Sequence, residues 1–144
     1  MLILFAGLVL FILTMTVVCA LALVLGGRTE RHVAVGYLAA SAATMFVSSY
    51  GTRWHGPNWG VMIVDALWLV ALVVIARHSA KAWPIWAAAG QLCGLLAHGP
   101  AILDRISAET YVLSQPFWAF PILAFMLVGT VEEARARKAR APNR

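Results

Sequence analysis

The stretch "VMIVDALWLVALVVIA", Val61 to Ala76, decides the fold class: fifteen of its sixteen residues are apolar, and the other is Asp65. At about 1.5 Å of rise per residue, a helix from Trp59 to Ala76 approaches the roughly 30 Å of hydrocarbon in a bilayer. The rest of the chain agrees. Of 144 residues, 62% are hydrophobic and 12% charged, and the mean hydropathy is +0.82. Soluble domains carry about 25% charged residues, and a chain this apolar cannot cover its own surface in water. The expected class is an all-α integral membrane bundle.

Five apolar runs predict five transmembrane helices, over 2–25, 33–50, 59–76, 83–103 and 111–131. The first has no basic residue before it and is too long for a signal-peptide core, so it reads as an uncleaved helix. In the second, Gly36, Ala40, Thr44 and Ser48 recur at every fourth position and share a face on which helix backbones can approach closely. Asn58 is placed to cap the third. The fourth carries Pro84 in its first turn, a Gly90/Gly94 packing pair, and Gly99-Pro100, which can kink or end it early. Pro116 and Pro121 predict a bent fifth helix. These runs make a bundle of residues 1–131, followed by a basic cytoplasmic tail, 132–144, helical at its start.

Charge chooses the orientation. With the N-terminus outside, the inner segments carry Arg28, Arg31, Arg77, Lys81, Arg135, Arg137, Lys138, Arg140 and Arg144, nine in all, against only Arg53 and Arg105 outside. That asymmetry alternates at every loop, as the positive-inside rule requires of five crossings. Tyr50, Trp54, Trp59 and Tyr111 then fall near the outer interface and Trp83 and Trp86 near the inner one, while Trp68 and Trp118 lie deeper, between helices.

Asp65 is the only acid at depth. Counted from helix centres at Trp68 and Cys93, it lies about 4–5 Å to the outer side, with His98 about 7–8 Å outward and Gln91 about 3 Å inward. Gln91, Gly94 and His98 share one face of the fourth helix, so that face offers Asp65 an imidazole and an amide. A carboxylate in such surroundings serves either as a helix-packing clamp, through interhelical hydrogen bonds, or as a proton or cation site.

Other chemistry is not indicated. The net charge of +5 is explained by topology and not by nucleic acid. Cys19 and Cys93 lie inside apolar runs, away from any metal-ligand spacing. His32, His55 and His78 sit near helix ends without a haem motif. No nucleophile–base pair or phosphate loop occurs. The expectation is no catalytic residue, no metal and no cofactor.

From Val64 to His98, "VDALWLVALVVIARHSAKAWPIWAAAGQLCGLLAH" resembles a pattern recurrent in small, uncharacterised polytopic membrane proteins of alphaproteobacteria, sphingomonads especially. Asp65, Arg77, Ser79, Trp83-Pro84, the "WAAAGQL" run and His98 carry the resemblance, over about a quarter of the chain. It implies a bacterial inner membrane and no particular activity. The functional expectation is a non-enzymatic accessory subunit or interaction protein, in contact with lipid and with a membrane-protein partner or copies of itself. The alternatives are a small proton-linked transporter or channel using Asp65 and His98, and a holin-like phage lysis protein.

Overall fold

Gly26 and Gly27 separate the first helix from the second, and Glu30 starts the second by reaching back to the Gly27 N–H at 3.0 Å. The computed structural model describes residues 2–50, 58–103, 105 and 108–140, and every regular element among them is a helix. The helices are α1 (Leu2–Leu25), α2 (Arg28–Tyr50), α3 (Trp59–His78), α4 (Trp83–Leu96), α5 (Gly99–Ile102) and α6 (Ala108–Arg140). Arg53, Trp54, His55, Asp104 and Arg144, and the side chains of Tyr50 and Pro116, lie outside the described residues.

Five helix bounds differ from the sequence expectation; two shift only slightly, with α3 ending at His78 rather than Ala76 and α6 beginning at Ala108 rather than Tyr111. Helix α2 begins at Arg28 and not at Val33. An acid three residues past the cap satisfies an orphan N–H and complements the helix dipole, so the polar "RTERH" segment is helical. Helix α4 stops at Leu96, and the chain turns at Ala97 and His98 before the single turn of α5. Pro100 has no N–H to continue the ladder, and the His98 carbonyl accepts instead from Ala101 and Ile102, each at 3.1 Å. Helix α6 is one continuous segment that includes Pro116 and Pro121 and runs nine residues past Val131, to Arg140. "EEARARKAR" is rich in strong helix formers and puts Arg137, Lys138 and Arg140 in the last turn, where cations suit the dipole. The boundary expected at 132 therefore falls inside a helix.

Side-chain contacts set the directions of the helices. Helix α2 runs antiparallel to α3: Thr29 meets Ser79 at 3.4 Å, and a Cβ on Gly60 would lie 3.1 Å from Val47. Helix α4 runs antiparallel to α6, with Trp83 against Gly129, Gly90 against Pro121 and Ile122, and Gly94 against Trp118. Helices α1 and α6 are parallel: Phe11 meets Phe120 edge-on at 6.3 Å, and farther along Arg137 donates to the Gly26 carbonyl at 3.2 Å. Thus α1, α3 and α6 all end at the same end of the bundle, and α2 and α4 return between them.

Among the described residues, three helices are long and apolar enough to cross a membrane: Ala6–Leu25, Trp59–His78 and Phe117–Arg140. Five helices were expected to cross, and by length and composition these three do so. Helix α4 has only 14 residues before its break, and α2 opens on Arg28, Glu30 and Arg31. Outward side chains within α1 and α3 are mostly apolar, among them Leu13, Val17, Val70 and Val74, and the exposed Thr16 bonds back to the Ile12 carbonyl. The core is small and tightly packed, around Cys19, Ala22, Val33, Leu72, Ala87, Ile122 and Met126.

The small residues singled out in the sequence divide by use. Gly36 lies under the Trp68 ring, and Ala40 packs against the core. Thr44 is half-buried, and Ser48 is exposed and bonds back to the Thr44 carbonyl at 2.6 Å. Gly90 and Gly94 open α4 to α6, not to α3. Gly129 admits the Trp83 indole so closely that a Cβ would collide with it. Gly129→Leu is therefore expected to lower stability by about 1–3 kcal/mol or to prevent folding, whereas Gly7→Leu, at a position with open space around it, leaves it unchanged. Thermal unfolding in detergent compares the two.

Candidate functional site

Helix α3 carries Asp65 one turn before the buried Trp68, on the side that faces α4. On α4, Gln91 lies at the level of Asp65, and its amide donates at 3.2 Å to both the Asp65 carbonyl and Oδ1. Two turns on, α4 breaks, and the break places His98 with its Nε2 3.0 Å from Asp65 Oδ2. Tyr111, in the first turn of α6, brings its hydroxyl to His98 Nδ1 at 2.7 Å. The Asn58 backbone, at the start of α3, also reaches the Tyr111 hydroxyl.

The result is one line of polar groups joining three helices: Gln91, Asp65, His98 and Tyr111. His98 has no exposure, Gln91 and Tyr111 are buried, and the Asp65 side chain keeps 24%. A single proton on His98 Nε2 satisfies the whole line, with the tyrosine hydroxyl donating to Nδ1 and the imidazole N–H donating to the carboxylate. No fully buried side-chain nitrogen or oxygen in the line lacks a partner, as burial demands. Among the described residues the one buried polar atom left without a partner is Trp68 Nε1.

Sequence reasoning named Asp65, His98 and Gln91 as neighbours, and the structure brings all three within hydrogen-bonding distance. The sequence alone places Tyr111 at the outer interface. Its place in the line depends on how far α6 tilts back over the α4 break, and spacing along the chain carries no trace of that.

A second cluster lies at the other end of the bundle. Glu30 has no exposure, and its carboxylate binds Lys81 Nζ at 2.8 and 2.9 Å, the Trp83 indole N–H at 2.9 Å and the Gly27 N–H at 3.0 Å. Lys81 also binds Glu133 at 2.7 Å. Trp83 is therefore a buried donor rather than an interfacial anchor. Glu30 read as part of a polar loop. The usable signal was the acid three residues after Gly27. Desolvation presses the Lys81 ammonium down, and its hydrogen bonds to Glu133 and Glu30 outweigh that and hold it above the ordinary lysine value.

His78 bonds back to the Val74 carbonyl of its own helix at 2.8 Å, and His32 is exposed. Among the described residues no three His, Cys, Asp or Glu side chains converge as a metal site needs. No protein-family model, curated protein or solved structure matches this chain.

Two measurements follow from these geometries. His98→Ala leaves the Asp65 carboxylate and the Tyr111 hydroxyl each short of a partner, and the expected loss is about 1–3 kcal/mol, read as a lower unfolding temperature in detergent. Lys81→Met strands the Glu30 carboxylate. Breaking a fully buried pair costs about 3–5 kcal/mol, and the partial exposure of Lys81 reduces the expected loss to about 2 kcal/mol. Because the Lys81 value is raised on folding, its contribution is complete below pH 10.5 and fades as pH rises above that. A wild-type unfolding temperature that stays flat from pH 6 to 9 while Lys81→Met is uniformly lower fits this account, and equal temperatures for the two proteins refute it.

Proposed function

We propose that this is a five-crossing, non-enzymatic protein of a bacterial inner membrane, with its N-terminus outside and its C-terminus in the cytoplasm, that works by associating with other membrane components. The direction of the helices supports five crossings. Helices α1, α3 and α6 run parallel, and three successive parallel spans need two return passages, for which α2 and α4 with α5 are the available segments. The orientation rests on charge: the end that gathers Gly26, Lys81 and Arg137 also holds Arg28, Arg31, Arg77, Arg135, Lys138 and Arg140. The resemblance over Val64 to His98 favours the bacterial inner membrane.

One observation carries the associative role. The polar side chains at depth are spent on one another: Asp65, Gln91, His98 and Tyr111 form interhelical bonds that hold the bundle together. The large exposed side chains along the helices are mainly apolar. On α2 they form a stripe of Val35 and Leu38 with the small Ala39 and Ala42 beside them. Small residues beside large ones let another helix approach closely. Gly36, Ala40, Gly90 and Gly94 are used within the bundle, which leaves this stripe as the contact face. Purification in mild detergent followed by mass spectrometry, with Ala42→Cys cross-linking, is expected to yield one stoichiometric species, either a partner or a second copy. A monomer with no cross-link and no partner would sink the reading.

A second reading has a specific observation in its favour. Asp65, His98 and Tyr111 form an unbroken line of titratable groups, and His98 stands at a helix break, as polar sites in carriers often do. Such a line can pass a proton between Asp65 and Tyr111. Proton flux in reconstituted vesicles that Asp65→Asn abolishes without lowering the unfolding temperature would establish this role. Absence of flux in the wild type removes it.

A further inference from the structure

Arg135 and Lys138 lie one turn apart near the end of α6, and no carboxylate among the described residues pairs with either. Both line one end of a groove of about 230 Å³ between α1 and α6. The rest of the groove is walled by Leu21, Leu25, Leu127 and Val131. Thr130 also lines it, but its hydroxyl turns back to the Met126 carbonyl at 2.8 Å, so the wall offers no free polar group there. Among the described residues, no acid lines the groove. Glu133 is committed to Lys81, on another side of α6. Beside the end of α1 a second cavity, of about 310 Å³, is lined by Arg28, Arg31 and Arg137 among others, and these arginines add to the positive field.

An apolar slot that ends in unpaired cations suits an amphiphile with a hydrocarbon chain and an anionic head. In a bilayer that ligand is a phospholipid of net negative charge, and basic recesses between helices on the cytoplasmic side are the usual way to hold its headgroup. We propose that the groove between α1 and α6 binds one anionic phospholipid, with an acyl chain along Leu21, Leu127 and Val131 and the phosphate at Arg135 and Lys138. The proposal rests on the membrane reading above and adds the class of lipid that the site selects. A zwitterionic lipid fits the slot equally well but brings its own ammonium towards the two cations, so the selection comes from charge.

The test uses the full chain in nanodiscs of equal parts phosphatidylglycerol and phosphatidylcholine, transferred to mild detergent, with retained lipid counted by native mass spectrometry. The wild type is expected to keep phosphatidylglycerol over phosphatidylcholine by at least roughly five-fold. Arg135→Gln with Lys138→Gln is expected to bring the two lipids level without changing the unfolding temperature in pure phosphatidylcholine. Val131→Trp keeps both charges, fills the slot and is expected to lower retention of either lipid. Equal retention of the two lipids by the wild type overturns the proposal, as does an undiminished preference in the double variant. If the double variant does not fold, undiminished retention by Val131→Trp overturns it instead. Extraction of the wild type from membranes by alkaline carbonate sinks the membrane reading itself. A chain that resists carbonate yet shows no lipid preference sinks only the lipid site.

Discussion

A carboxylate without exposure to solvent must find cations and donors, and at Glu30 that need draws three separated parts of the chain together. Lys81 supplies the charge, Trp83 and Gly27 supply N–H groups, and Glu133 joins through Lys81. These residues come from the α1–α2 turn, the α3–α4 turn and the late part of α6. Once they meet, α1, α3 and α6 have to end together, and α2 and α4 have to run back between them. Trp83 can reach Glu30 only because Gly129 leaves room for its ring. The knot therefore sets helix direction and close packing at the same time.

The Asp65 line does a related job farther along the bundle, with a different balance of forces. Glu30 is matched by a formal cation, whereas Asp65 is matched by an amide and an imidazole, and His98 passes the connection on to Tyr111. Between the two clusters lies an apolar core that includes Leu72, Ala87 and Met126. Polar bonds tie the bundle at two levels, and dispersion between small and aromatic side chains fills the space between them. Gly36 under Trp68 and Gly94 against Trp118 are the close approaches that make this filling possible.

Much of this was legible in the chain because hydropathy and helical period are local properties. The apolar runs mark where helices lie, Gly99-Pro100 marks the break in α4, and the spacing of Gln91, Gly94 and His98 puts them on one face. The partners of Asp65 could be named because depth along an antiparallel hairpin follows from counting residues. Glu30 could not be recognised in this way. Its neighbours Arg28, Arg31 and His32 make the segment look like a solvated loop, and its true partners lie more than fifty residues away. Tyr111 was missed for the same reason, because a polar residue at a helix start looks the same whether it faces water or a buried histidine.

By itself the sequence determined that the chain builds helices long and apolar enough to cross a membrane, where its apolar runs begin and end, and that one acid lies among them, because each of these depends on the free energy of moving nearby residues between water and hydrocarbon. The tertiary structure decided which polar groups hold the bundle, that glycines on α4 serve α6 and not α3, and that the expected tail continues the last helix. Those outcomes depend on contacts between residues far apart in the chain, where a buried charge or an open space beside a glycine acts only once the helices have met.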